Sequence, residues 1–391
     1  MKNHIILAAL AAAVLAACGG GGNDGENKSS ATAVKVVGAS LADSGAFGGA
    51  KFTVQPGVAG TSYPVYTQRI AATYGVPLCN TYTVTNANGT TANVNAGCTN
   101  YAVAGAKVHV NSGTVAVDTV PVSGIRQLVD AGNVGYAAGD LLIVGELSAN
   151  DTATLVEAFL TAAAGKPASL QELLASLLTP AQLTSTTDTT VLGAIYMQDV
   201  ADKLTTAVKT NAIDKGAKRI AILNTLDVSR TPKLQGALAQ IAAGPGGTAQ
   251  ATQVQALVRG WIKAYNDKLE ANVAALNQLG TSSVIVVDFF TNFNNEMNDP
   301  PQYGLSNVTA TVCDQIVTKG LAPAVTALST PSTMAACTDV AASALTPTVG
   351  ADGTNMWWKK FLFADNFHPT PYGHQLLAQM VAKRLTEAGW L

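Results

Sequence analysis

The chain has 391 residues, 23 Lys+Arg against 25 Asp+Glu for a formal net charge of −2, and is 48% hydrophobic with only 12% charged residues. It is too apolar for a disordered chain, and a balance so near neutral offers no basic surface to nucleic acid, so both classes are excluded. Aromatics at 6% leave few stacking platforms, and 36 glycines point to tight turns and close helix–sheet contacts rather than a coiled coil.

At the start of the chain, Lys2 precedes an apolar run from Ile5 to Ala17 that ends in Leu15-Ala16-Ala17-Cys18. The run is too short for a bilayer core, which takes about 20 residues in a helix, and has the charged, apolar and small-residue zones of an export signal. A cysteine directly after Leu-Ala-Ala resembles the lipobox of bacterial lipoproteins. That resemblance implies removal of residues 1–17, a lipid on Cys18, and an exported protein anchored to the cell envelope, at the outer membrane. Gly19 to Ser30 (GGGGNDGENKSS) reads as a polar tether, so the expected organisation is signal 1–17, tether 18–33 and one folded domain over 34–391. Cys79, Cys98, Cys313 and Cys337 remain, an even number for an oxidising compartment. Local pairing, 79 with 98 and 313 with 337, is the simplest of three connectivities, and each bridge would contribute about 3 kcal/mol on the loop-entropy model. No CxxC pair occurs and histidines are few, so neither a metal nor another cofactor is expected.

Along the folded part, Ala33–Val37 (AVKVV) predicts a buried strand broken by Gly38. Pro121 to Gly132 carries Ile125, Leu128 and Val129 at helical spacing, and Leu141–Val144 (LLIV) follows as a second strand. The stretch after Thr152 is helix-like up to Gly165 and Pro167, with Asn150 or Asp151 as its N-cap; short and longer helices are predicted over 172–178 and 191–210. Arg219–Leu223 (RIAIL) is a third strand. Residues 253–279 form a long amphipathic helix with Leu257, Trp261, Tyr265, Leu269 and Val273 on one face, before a fourth strand, 284–288, and a last helix over 372–385. Apolar strands alternating with helices predict an α/β fold with a parallel sheet covered on both faces. Ligands of such sheets bind beyond the carboxyl ends of the strands, so the residues just after each strand are the ones to inspect.

Gly38-Ala39-Ser40-Leu41-Ala42-Asp43-Ser44-Gly45 follows the first strand and puts the Ser40 hydroxyl at the sheet's carboxyl edge, near the positive end of any helix that begins there. A plain N-cap is the competing reading, and the stretch is not the G-x-S-x-G elbow. Asp365 lies three residues before His368, close enough for the carboxylate to hold Nδ1–H and leave Nε2 facing a serine. Of the other histidines beyond the signal, His109 in the alternating KVHVN reads as a strand residue and His374 as part of the last helix. Asn100–Ala106 (NYAVAGA) and Ser148–Asp151 (SAND) contribute a glycine and an asparagine, each with a plain explanation as turn residue and N-cap.

Taken in order, GASLADSG, NYAVAGA, SAND and DNFHPT resemble the four blocks of the GDSL-type, or SGNH, serine hydrolases, with further similarity over residues 286–314 and 224–232. The resemblance implies a flavodoxin-like three-layer α/β/α fold. It also implies a Ser40–His368–Asp365 triad, and an oxyanion hole built from the Ser40 and Gly105 N–H groups and the Asn150 side chain. Two positions depart from the pattern. Ala39 stands where the family has an aspartate, removing whatever bonds that carboxylate makes around the serine turn, and Ser148 stands where it has a glycine. The activity implied is ester hydrolysis, on a lipid, a short acyl ester or an O-acylated glycan. Acyl transfer with the same residues, and a non-catalytic surface lipoprotein that binds glycan or envelope components, are the competing functions. Leu170–Leu183 and the group Trp357, Trp358, Phe361 and Phe363 are expected to pack in the interior, with an acyl pocket or lid as the alternative.

Overall fold

The structure is a computed structural model that describes residues 31–58, 62–320, 334–345 and 354–391. The signal sequence, Cys18 and most of the tether lie outside the described residues.

Four strands, β1 (Val34–Val37), β6 (Leu141–Val144), β7 (Arg219–Leu223) and β8 (Ser283–Val287), pair in that order as a parallel sheet. Their registers are unbroken, with Val34 opposite Leu141, Leu141 opposite Arg219 and Arg219 opposite Ser283. All side chains of β1 and β6 are buried, which is why these short runs are apolar without alternation. Beyond the β1 edge the chain at residues 99–103 runs alongside: Val36 N–H donates to Thr99 O, and Tyr101 N–H to Val36 O. That extension lays the second motif block beside the first.

Helices cover the sheet. α6 (Thr189–Asn211) packs on both α2 (Gly124–Val134) and α8 (Gly247–Gln278). α1 (Tyr66–Thr73) packs on the last helix, Pro371–Glu387, which also touches β8. With the sheet between helical layers, the fold is three-layer α/β/α as expected. The connections carry α3 (Leu147–Ala163), α4 (Ala168–Ala175), α5 (Pro180–Thr184), α7 (Pro232–Ala243), α9 (Phe289–Asn298) and α10 (Val312–Thr318).

Smaller pieces complete it. β2 (Tyr82–Val84) and β3 (Ala92–Val94) form an antiparallel hairpin, as do β4 (Asn111–Ser112) and β5 (Val115–Ala116), while β9 (Asn307–Thr311) and β10 (Phe361–Phe363) pair in parallel. The two disulfides are the local ones, Cys79–Cys98 flanking the first hairpin and Cys313–Cys337. Trp357, Trp358 and Phe361 are buried around Cys313 and Cys337 in a satellite core, and Phe363 is buried in the main one. Leu170, Leu173, Leu174 and Leu178 are likewise buried in the main core, so interior packing is the role of both apolar groups.

Two local expectations differ. The helix expected after Thr152 begins at Leu147, so Asn150 and Asp151 sit inside its first turns instead of capping it. Their side chains are engaged elsewhere: Asn150 Nδ2 donates to Ala106 O at 2.9 Å, and Asp151 accepts the Val108 and His109 N–H groups, each at 2.8 Å. His109 is correspondingly outside any strand, its backbone bonded to a carboxylate rather than a neighbouring strand. Asp151 is fully buried, and its carboxyl is pushed up to about 6 by burial against the pull of those N–H groups.

Candidate active site

β1 delivers the chain to Gly38, where a side chain would collide with Ala42: an added Cβ would lie 2.7 Å from the Ala42 Cβ. The segment that follows is a turn and not the start of a helix, so Ser40 is not a helix N-cap. Its N–H groups are satisfied individually. Ala42 and Asp43 donate to Ala39 O at 3.1 and 2.9 Å, Gly38 donates to Gln127 Oε1 at 2.8 Å, and Leu41 donates to Glu146 Oε1 at 2.8 Å. Ser40 N–H makes no hydrogen bond among the described residues.

Asp43 ties this turn to the next block. Fully buried, it accepts from Gly45 N, Ala46 N and Asn80 Nδ2 on Oδ1 at 2.7–2.9 Å, and from Ala104 N on Oδ2 at 2.9 Å. Burial pushes its carboxyl upward, and these four donors oppose the shift. Asn100 adds a second tie, donating to Ala42 O and Ser44 Oγ at 2.9 Å each. Gly105 is thereby held close to the Ser40 turn with φ +79°, a conformation open to glycine, and its N–H makes no hydrogen bond among the described residues.

The third component comes from the far end of the chain. β10 runs into a tight loop closed by Ala364 N–H donating to His368 O at 2.8 Å, with Thr370 Oγ1 donating to Phe361 O at 2.7 Å. Within that loop Asp365 Oδ1 accepts the Phe367 and His368 N–H groups at 2.8 and 2.6 Å. Asp365 Oδ2 lies 2.7 Å from His368 Nδ1, and His368 Nε2 lies 2.8 Å from Ser40 Oγ. The carboxylate holds Nδ1–H, so the Nε2 lone pair points at the serine hydroxyl. Asp365 is 1% exposed, Ser40 and His368 5% each, and the Phe52 ring packs at a tilt of 46° on the imidazole with centroids 4.8 Å apart.

Ser40, Gly105, Asn150 and His368 open on one cavity of about 800 Å³. Since one Asn150 amide hydrogen is committed to Ala106 O, the side chain is fixed with its second N–H available. The polar hairpin loop at Thr85, Asn86 and Asn88 lines the same cavity, as do Phe367, Lys233 and Ala153. The four blocks singled out from sequence are therefore brought together, and the arrangement can deprotonate a serine beside a set of N–H donors.

Ser148 does not line the cavity; it is buried and its hydroxyl bonds Thr225 Oγ1 at 2.5 Å. Ala39 is fully buried, and the carboxylate bonded to the serine turn is that of Glu146. Glu146 was not singled out from sequence. Its one signal is a lone charge just past an apolar strand. Burial pushes its carboxyl up, opposed by the turn's N–H groups and by His368, and its Oε2 has no hydrogen-bond partner among the described residues.

Neither remaining histidine of the folded part belongs to the site. His109 is buried between Lys203 Nζ, 3.0 Å from Nδ1, and Ser176 Oγ, 2.7 Å from Nε2. Burial and the two nearby lysines, Lys203 and Lys107, push it down to about 3. His374 lies inside the last helix as expected, fully buried and pushed down to about 3 chiefly by burial.

The family model for GDSL-like lipase/acylhydrolase matches residues 34–381 of the chain. No curated protein matches it.

Proposed function

Because the chain belongs to the GDSL-like lipase/acylhydrolase family, we propose that this hydrolase is a serine esterase in which Ser40 is the nucleophile, His368 the general base and acid, and Asp365 the group that orients it. The observation that carries the reading is the unbroken hydrogen-bond chain from Asp365 through His368 to Ser40 Oγ, opening on a cavity with unpaired N–H donors.

In this reading Ser40 Oγ attacks the ester carbonyl as its proton passes to His368 Nε2. The Ser40 and Gly105 N–H groups and the free Asn150 amide hydrogen receive the oxyanion, each worth about 3 kcal/mol at the transition state. His368 returns the proton to the leaving alcohol, and water then releases the acid from the acyl-enzyme. Acyl transfer would differ only in the last acceptor.

Fluorophosphonate labelling of the purified protein, with turnover of a chromogenic ester measured alongside, tests the assignment. Labelling and turnover that disappear together in Ser40→Ala, at an unchanged melting temperature, support it. Undiminished ester turnover in Ser40→Ala overturns it, and a folded wild-type protein that neither labels nor turns over ester points to the non-catalytic binder. We further propose that residues 1–17 are an export signal and that Cys18 carries a lipid holding the enzyme to the cell envelope; the LAAC sequence supports this reading.

A further inference from the structure

The catalytic cavity borders a second one. Ala153, Lys233 and Phe367 line both cavities, and the second, of about 540 Å³, continues outward between α3 and α7. Both helices rest on α8, and the groove lies between their facing sides. Its walls are largely apolar: Val156 and Leu160 of α3 and Ala164 at its end stand against Val228, Leu234 and Ala237. The α3 positions recur at helical spacing from Ala153 to Ala164, which makes the groove about 16 Å long at 1.5 Å per residue. Charge is confined to Glu157, Lys166 and Lys233, all exposed.

Resting on the esterase reading, we infer that this groove takes the acyl chain and that the substrates are esters of medium- or long-chain fatty acids, with the alcohol moiety on the Thr85–Asn88 side. Three observations converge. The groove opens directly from the catalytic cavity. It begins at Ala153, one helical turn beyond Asn150, so a chain leaving a carbonyl held by Asn150 is directed along α3. The two ends of the site also differ in chemistry: the groove offers aliphatic walls to an alkyl chain, and the hairpin loop offers hydroxyl and amide groups to an alcohol head. An acetyl group would leave the groove empty, whereas each methylene buried there raises kcat/KM by up to about fourfold, the ~0.8 kcal/mol of a buried CH₂.

The test compares p-nitrophenyl acetate with p-nitrophenyl decanoate on the wild type and on two variants that fill the groove from opposite walls, Ala237→Trp and Thr161→Trp, with melting temperatures to establish folding. The wild type is expected to prefer decanoate, and the decanoate-to-acetate ratio of kcat/KM is expected to fall at least about tenfold in each folded variant, through KM for decanoate. A second wall keeps the test decisive if one tryptophan is not tolerated. A ratio unmoved in a folded variant, or a wild type that hydrolyses acetate without favouring decanoate, overturns the inference and leaves the esterase intact. Decyl acetate serves as the reciprocal probe: if the tryptophans depress its turnover and spare decanoate, the groove holds the alcohol and the inference fails. Absence of both labelling and turnover with every ester removes the esterase reading itself, and the acyl groove with it.

Discussion

At Ser40 the hydroxyl is one hydrogen bond from an imidazole, but its geometry depends on a residue that never faces the cavity. Glu146 holds Leu41 N–H, the amide next to Ser40, from the end of the neighbouring strand. With alanine at position 39, this is the carboxylate that braces the turn. Glu146→Ala strands a buried N–H, at a cost of about 1–3 kcal/mol, part of which goes into misplacing Ser40. The expected result is a kcat lowered about tenfold or more with KM little changed, and substantial recovery in Glu146→Gln, whose amide oxygen still accepts from Leu41. A change confined to KM, or a glutamine variant as poor as the alanine one, would count against a positioning role.

On the scale of elements, most helices and all four central strands lie where apolar periodicity puts them, and the clearest departure has a local cause. α3 starts before Thr152 because Asn150 and Asp151, read as capping residues, spend their hydrogen bonds on the 106–109 segment. Ser40 sits in a turn whose N–H groups are taken by Glu146 and Ala39 O, so it is not the N-cap that a serine in this place also suggested. α9 carries a further consequence. Glu296 is buried there in a small apolar cavity beside Phe289, Phe293 and Leu41, and burial pushes it up to about 8. Its folded-state value lies above the unfolded one of about 4.3, so the folded protein holds the extra proton between those values. That contribution is fully present below about pH 4 and is lost as pH rises through about 8. Glu296→Gln should therefore melt close to the wild type at pH 5 and above it at pH 9. Thermal melts at the two values decide it, and a Tm difference that does not change with pH refutes the assignment.

For the whole molecule, the proposed compartment and the site come from different parts of the chain. No helix among the described residues is long and apolar enough to cross a membrane, and attachment in the proposed reading rests on Cys18. Full-length protein made in a bacterial host is expected to partition into the detergent phase and Cys18→Ser into the aqueous phase; equal partition would remove the lipid anchor. The sequence by itself determined the α/β class, because a strand buried on both faces must be apolar throughout, as β1 and β6 are. It also determined the family, through the order of four short blocks, and made the Asp365–His368 pair legible, since both ends of that contact lie in one tight loop. Tertiary structure decided the rest. Ser40 and His368 are 328 residues apart, and no local pattern encodes a contact made by folding two chain ends over one sheet edge. The same holds for Glu146 beneath the serine turn, and for the groove between α3 and α7, because a side chain's bonding partners and the space between two helices are properties of packing and leave no periodicity to read.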